Sequence, residues 1–365
     1  MDAAALADLL EFRERTRSLP APRPTTWDGI IGNARAVEQI REAILAAKKM
    51  SRPLPHMLFF GPPGTGKTTI AQMAARDMGG FLVTTTASTL ETPADLVRVI
   101  WQMNDGCEQT RTASLAFIDE IHTLGKSNGR QAIDQEQLFT LLEDWVMYHN
   151  LIGKRVEDER GRRYILRDNN TAALPFTAIG ATTEPGLLSQ PLLRRFLIHI
   201  ELDPYTENEI ATILGGSAQR LGWTITDAAA TWLSRFGRRN PGTAMSLLTA
   251  ANSRAVATDR PNIDEAVAQE VTERLRLYPQ GLTETDVRVL RLLYERSPRG
   301  IGQAEICRAL SISQSQFTGM VEPYLRQLDM METLARRVIK PAGIRYLAQI
   351  GKLDTSRPEV RAALA

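Results

Sequence analysis

Several things are scarce in this chain, and each scarcity narrows what it can be. Only two cysteines, Cys107 and Cys307, occur in 365 residues, and they lie far apart. That excludes a disulfide framework and indicates a reducing compartment. No apolar run is long enough to form a helical membrane span. The opening residues are apolar but carry Asp2 and Asp8, with Glu11 and Arg13 close behind. They lack the basic start and long apolar core of a secretory signal and read as a short amphipathic helix, so a cytoplasmic location is expected. Charge of one sign is also missing: the formal net charge is +2. Contact with nucleic acid must then come from a local patch rather than a bulk field. No internal repeat or low-complexity segment is visible. What remains, 43% hydrophobic and 24% charged, is the composition of a globular protein large enough for several cores.

A Pro-rich stretch, Leu19-Pro20-Ala21-Pro22-Arg23-Pro24, separates the N-terminal helix and linker (1–22) from the body. From Trp27 to about Ile200, helical patterns alternate with short apolar strands at 57–60, 81–84, 115–118 and 176–180. This alternation predicts an α/β domain over 23–202, a parallel sheet with helices on both faces. Beyond Pro204 the strand signal fades, and helices over 207–221, 227–236 and 243–257 predict a small all-α domain at 203–277. From 278 to 350, helical patterns at 284–296, 302–310 and 313–328 precede short strands at 331–334 and 337–339. That order is a winged-helix pattern, with 351–365 left as a tail.

The densest chemistry lies in Gly61-Pro62-Pro63-Gly64-Thr65-Gly66-Lys67-Thr68-Thr69, between the strand at 57–60 and a helical run. Glycines let the loop bend so that backbone N–H groups point inward at phosphates, and the following helix adds its positive end. Lys67 supplies a point charge to the β/γ oxygens, and the Thr68 hydroxyl can hold Mg²⁺. The chain is therefore expected to bind a nucleoside triphosphate. Downstream, the apolar strand Leu115-Ala116-Phe117-Ile118 ends in Asp119-Glu120. A buried parallel strand delivers its last residues to the carboxyl edge of the sheet, beside the phosphate loop. Asp119 can complete a Mg²⁺ shell, and Glu120 can orient and polarise the attacking water. The strand Phe176-Thr177-Ala178-Ile179-Gly180-Ala181 ends in Thr182-Thr183, with Thr183 the first choice for a hydroxyl touching the γ-phosphate and water. The pair Arg194 and Arg195 in Leu192-Leu193-Arg194-Arg195-Phe196 is a solvated helix end or, in a ring of P-loop ATPases, the source of a finger reaching a neighbouring subunit's γ-phosphate.

In this order the motifs resemble an AAA+ ATPase, and more narrowly the RuvB family of Holliday-junction branch-migration motors. The resemblance rests on the phosphate loop, on Phe117-Ile118-Asp119-Glu120-Ile121-His122, on Gly180-Ala181-Thr182-Thr183 and on the Arg-Arg-Phe segment. Trp27-Asp28-Gly29-Ile30-Ile31-Gly32-Asn33 is similar to the segment lining the family's adenine pocket, which implies adenine contacts at Ile30 and Ile31. Pro204-Tyr205-Thr206 implies an aromatic contact at Tyr205. Val321-Glu322-Pro323-Tyr324-Leu325 and Gly343-Ile344-Arg345-Tyr346-Leu347 resemble the family's winged helix. The resemblance spans about residues 22 to 350 and implies a homo-oligomeric, hexameric ring that hydrolyses ATP to move duplex and four-way-junction DNA.

Three departures stand out. Where the family carries Gly-Thr-Pro-Arg, with an arginine reaching the γ-phosphate of its own subunit, this chain has Gly242-Thr243-Ala244-Met245. That action is absent, or taken by Arg238 or Arg239. The family pattern Pro-Leu-Arg-x-Arg-Phe becomes Pro-Leu-Leu-Arg-Arg-Phe, which keeps Arg195 in place and shifts Arg194. The hairpin that docks RuvA in the family corresponds to 150–168, with arms at 150–154 and 164–168. Its charged tip, 157–163, is a solvated turn, or else marks a changed partner or a DNA contact. Residues 123–134 read as an inserted loop.

In the C-terminal domain, Phe317, Met320, Val321, Tyr324 and Leu325 recur at helical spacing and read as core. Arg336, Arg337, Lys340 and Arg345 cluster in the wing, where phosphate contact without base readout suits a motor that tracks any sequence. The leading expectation is an ATP-driven DNA translocase of the RuvB type acting in recombination and repair. The alternative is a nucleotide-switched DNA scaffold, such as a clamp-loader-like or transposition regulator. A protein-remodelling ATPase is a weaker third reading.

Overall fold

Five short apolar runs assemble into one sheet of order β2-β3-β8-β1-β9. These strands are β1 (Met57–Phe60), β2 (Leu82–Thr86), β3 (Ser114–Asp119), β8 (Phe176–Thr182) and β9 (Ile198–Glu201). Every pairing between them is parallel, as the alternation of strands and helices predicts. The computed structural model describes residues 23–124, 135–158, 160–354 and 356–364. The N-terminal helix and linker expected over 1–22 and most of the loop expected over 123–134 lie outside these residues. The chain divides into two units, Met1–Tyr205 and Thr206–Ala365.

In the first unit both sheet faces are buried, and the period-two alternation of a strand sorts its residues between them. Met57, Phe59, Phe117 and Ile179 face helices Ala34–Met50 and Lys67–Met78 through Ile40, Ile44, Ile70 and Ala74. Leu58, Ala116, Ile118 and Ala178 face helices Pro93–Thr110 and Gln135–Asp144 through Leu96, Ile100, Leu138 and Leu141. Each large side chain buried this way contributes roughly 1.5–3 kcal/mol, so the two clusters fix the sheet and its carboxyl edge. Strand β9 is a correction to the sequence reading, although Ile198-His199-Ile200-Glu201 does alternate.

Between the Asp-Glu strand and β8 lies a two-part antiparallel ribbon. Strand β4 (Val146–Tyr148) pairs with β7 (Asn170–Ala172), and β5 (Arg155–Glu157) with β6 (Arg163–Ile165). The arms expected at 150–154 and 164–168 are thus displaced: residues 152–153 turn, and pairing resumes through Gly153 N–H to Leu166 O at 2.8 Å. The tip is ordered by Asp158, whose Oδ1 accepts the N–H groups of Arg160 and Arg162 at 3.0 and 2.8 Å. It rests on helix Pro93–Thr110, with Trp101 edge-on to Tyr164 at 5.1 Å and Arg98 Nε donating to Glu157 O at 2.9 Å.

The second unit begins with helices Glu207–Arg220, Asp227–Phe236, Pro241–Ala257 and Glu265–Arg274, the last absent from the sequence reading. Thr206, Thr226, Asn240 and Asp264 each accept a backbone N–H at the helix starts. Helices Glu284–Glu295 and Gln303–Leu310 and the hairpin β10 (Met331–Thr333) and β11 (Arg337–Ile339) give the winged helix, followed by helices Pro341–Gln349 and Pro358–Leu364. The helix expected over 313–328 is broken by a π-turn at Phe317–Val321. Pro323 has no N–H to offer Gly319, four residues back, and its ring crowds that carbonyl, so the ladder slips by one. Phe317, Val321, Tyr324 and Leu325 are core, but Met320 is thrown outward and exposed.

The helical and winged-helix parts are joined by a buried charge pair. Arg238 donates from Nη2 to Asp286 Oδ2 at 2.5 Å and from Nε to Gly281 O at 3.0 Å. Its guanidinium lies 4.3 Å from the Tyr324 ring centroid. Among the described residues no helix is long and apolar enough to cross a membrane.

Candidate nucleotide site and nucleic-acid interface

Strand β1 stops at Phe60, and Gly61 leaves it with φ +148°, donating its N–H to Thr182 O at 3.3 Å. A Cβ at Gly61 would stand 2.2 Å from the Leu202 carbonyl oxygen, so no other residue fits. Gly66 has φ +92° and precedes helix Lys67–Met78, whose N-terminal N–H groups open onto the loop. Between them Thr65 is pinned by its hydroxyl to Pro62 O at 3.0 Å. Lys67 is buried, and its Nζ donates to Gly61 O at 2.8 Å and Pro62 O at 3.0 Å. Burial is the main influence on this ammonium and lowers its pKa, opposed by the carboxylates of Glu120 and Asp119.

Register brings the other groups to the same edge. Ile118 pairs with Gly180 and Phe60 with Thr182, so the ends of β1, β3 and β8 lie side by side. Asp119 ends β3, and its Oδ1 accepts the Glu120 N–H at 3.1 Å. Glu120 takes a left-handed conformation, φ 49°, which turns its carboxylate toward the end of β8. There Oε2 accepts from Thr183 Oγ1 at 3.2 Å and from Thr183 N at 3.4 Å. Two residues missed by the sequence reading, or ranked second in it, complete this corner. His122 Nδ1 lies 3.2 Å from Glu120 Oε2 and 2.9 Å from Thr182 Oγ1. The signal for it was the second position after Glu120 in Ile-Asp-Glu-Ile-His.

Thr68 and Thr69 sit half-buried on the first turn of the loop's helix. Among the described residues no group of three or more His, Cys, Asp or Glu could cage a metal. One carboxylate at Asp119 and one hydroxyl at Thr68, both hard oxygen donors, fit Mg²⁺ taken up together with phosphate oxygens. Ile30 and Ile31 follow the single turn Trp27–Gly29 and are half-buried, Ile30 against the cluster under helix Ala34–Met50. Tyr205 is buried and donates its hydroxyl to Thr65 O at 3.2 Å, inside the phosphate loop.

Arg194 is exposed, whereas Arg195 is tied to its own unit. Its guanidinium pairs with Glu143 at 2.9 Å, donates to Pro191 O at 2.7 Å and stacks 4.2 Å from the Phe139 centroid. In the second unit Met245 is half-buried on helix Pro241–Ala257, and Arg238 is committed to Asp286 and Gly281. The wing cations are largely paired within the domain. Arg337 bonds Glu322 at 3.0 Å and Gln303 at 3.1 Å and is mostly buried, so its guanidinium is turned inward rather than to the face. Arg336 meets Glu305 at 3.4 Å, Lys340 meets Asp329, and Arg345 donates to Ala363 O at 3.2 Å.

A parallel sheet in this strand order, with a phosphate loop after β1, paired carboxylates ending β3 and hydroxyls ending β8, defines a nucleotide-binding P-loop ATPase of the AAA+ class. Residues 22–202 match the family model described as the Holliday junction DNA helicase RuvB P-loop domain, and 279–354 the RuvB C-terminal winged helix domain. The Holliday junction branch migration complex subunits RuvB of Nitratiruptor sp. and Ligilactobacillus salivarius are 30% and 32% identical over 331 and 327 residues, covering 91% and 89% of this chain and 92% and 91% of theirs. The structure of the Thermotoga maritima RuvB Holliday junction branch migration motor superposes with a TM-score of 0.72 at 27% identity, covering 91% of this chain and 99% of that one. The chain belongs to the RuvB family.

Proposed function

We propose that this chain is an ATP hydrolase that drives branch migration of Holliday junctions in recombination and repair. The observation that carries the reading is the Glu120 carboxylate held by Thr183 at 3.2 Å beside the Lys67 loop, in a chain that also bears a RuvB winged helix. The loop's N–H groups and Lys67 bind and orient the triphosphate. Glu120 accepts the proton of the attacking water, and Thr183 aligns both the carboxylate and the γ-phosphate. Thr68 and Asp119 are the residues to hold Mg²⁺, which when bound neutralises charge on the β- and γ-oxygens. Ile30, Ile31 and Tyr205 border the adenine end. Arg195 completes the site of the next subunit in a hexameric ring; to do so it exchanges Glu143 for the neighbour's phosphate. The motor works in the cytoplasm on double-stranded and four-way-junction DNA, which it holds by phosphate contacts from Arg336, Lys340 and Arg345, with Arg337 bracing the wing. Ile152 and Ile165, 60% and 58% exposed on the hairpin ribbon, supply an apolar face for a RuvA-like loader.

The test is ATP turnover with and without a four-way junction, in wild type and Glu120→Gln. Junction-stimulated turnover with junction dissociation, both lost by a factor of about 10²–10⁴ in the variant, is expected. Met245 in place of the family's arginine favours a second reading, a nucleotide-switched DNA assembly. Turnover indifferent to DNA, with ATP-dependent assembly and no junction dissociation, would establish that one instead.

A further inference from the structure

His122 lies outside the roles given above, yet its ring is held at the centre of the site. Its Nδ1 is 2.9 Å from Thr182 Oγ1 and 3.2 Å from Glu120 Oε2, and the side chain is 10% exposed. Thr182 is fully buried, and its hydroxyl oxygen accepts the Glu184 N–H at 3.0 Å. The proton on the ring can be located by electrostatics. A bare Nδ1 lone pair 3.2 Å from an ionised carboxylate oxygen would repel it, whereas an Nδ1–H directed at Thr182 leaves its positive end beside that oxygen. The Nδ1–H form is therefore the one this corner selects.

Glu120 Oε2 is thus surrounded by three positive dipole ends: the Thr183 N–H, the Thr183 hydroxyl and the His122 Nδ1–H. The two Thr183 donors bond that oxygen and the His122 N–H, itself bonded to Thr182, lies 3.2 Å from it, so that Oε1 is the oxygen turned to water. We propose that His122 is a positioning residue for hydrolysis, anchored by Thr182 at the end of β8, that fixes the Glu120 carboxylate so that Oε1 serves as base. The left-handed backbone at Glu120 turns the carboxylate into this corner, where Thr183 and His122 meet it. The short turn Ile121–Thr123 returns His122 to the strand end and is itself closed by Thr123 Oγ1 on Glu120 O at 2.9 Å.

The proposal rests on the ATPase reading, and the experiment separates the two. Steady-state ATP turnover is measured for the full chain with His122→Ala, His122→Asn and His122→Gln, alongside ATP affinity and thermal stability. Asn carries an N–H donor at the position of Nδ1; Gln carries it one bond further out. The expected result is a loss on the order of tenfold or more in kcat for Ala and Gln, an unchanged KM, and recovery to within about threefold for Asn. In a Glu120→Gln background, where the carboxylate is gone, His122→Ala should cost nothing further in single-turnover hydrolysis. Full kcat in His122→Ala would overturn the proposal. So would equal losses in Ala and Asn, or losses that multiply with Glu120→Gln. A wild type that hydrolyses no ATP would instead refute the ATPase reading itself.

Discussion

Replacing Arg238 with alanine should loosen the second unit and leave hydrolysis nearly intact. The Asp286 side chain is 1% exposed, and its Oδ1 has no hydrogen-bond partner. Removing the cation that faces a buried carboxylate costs about 3–5 kcal/mol. Two observations set the value within that range. Asp286 Oδ2 also accepts the Thr283 N–H and hydroxyl at 2.7 and 2.6 Å, so the carboxylate keeps two donors as part of a capping box. Against this, the variant strands Gly281 O and removes the cation over Tyr324. The low end, about 3 kcal/mol, is expected, which corresponds to roughly a hundredfold faster amide exchange through local opening. Hydrogen exchange on the full chain, read over helix Glu284–Glu295, measures it directly. Arg238→Lys keeps the charge but loses the fixed guanidinium fork, in which Nε and Nη2 reach Gly281 O and Asp286 separately, so it should fall between. Exchange altered less than about threefold would refute the reasoning. Unchanged exchange with a tenfold loss of ATP turnover would mean that Arg238 acts at the nucleotide, in place of the arginine that the family carries where this chain has Met245.

Two glycines with positive φ separate crowding from conformation. Gly61→Ala should cost about 2–4 kcal/mol and abolish nucleotide binding, because its Cβ meets Leu202 O, whereas Gly153→Ala, with open space around it, should cost about 1 kcal/mol or less; thermal denaturation and nucleotide titration compare them. His56 accepts the Ala178 N–H at Nδ1 and donates from Nε2 to Leu142 O, both at 2.9 Å, and burial lowers its pKa below the ordinary 6.5. The unfolded chain therefore binds the proton first as pH falls, and stability should drop below about pH 6.5, by up to about 1.4 kcal/mol per pH unit. His56→Gln should flatten that slope in denaturant titrations, with His149, whose pKa burial also lowers, supplying the remainder.

The sheet was legible wherever an apolar run was long enough to outlast its neighbours, as at β3 and β8. Strand β9 escaped because it is only four residues long and comes soon after a short helix, whose pattern competes with its alternation. The helix expected over 313–328 reads as continuous by apolar spacing, although Pro323 was present to break it. For the site, loop and carboxylates follow from local order, since a strand must deliver its end to the sheet edge. The contacts of His122 with Thr182 and of Arg195 with Glu143 depend on residues far apart in the chain, which spacing cannot pair. The wing cations looked like a charged face because sequence lists charges without showing the carboxylates opposite them.

The last stretch of the first unit has a mechanical consequence. Leu202 closes over Gly61 through its carbonyl, and three residues on Tyr205 hangs its hydroxyl on Thr65. The next peptide bond begins the second unit. The covalent tether is thus stitched to the phosphate loop at two points before it leaves. Any tug on that tether is felt first by the backbone of that loop, as a load cell is mounted where cable meets frame.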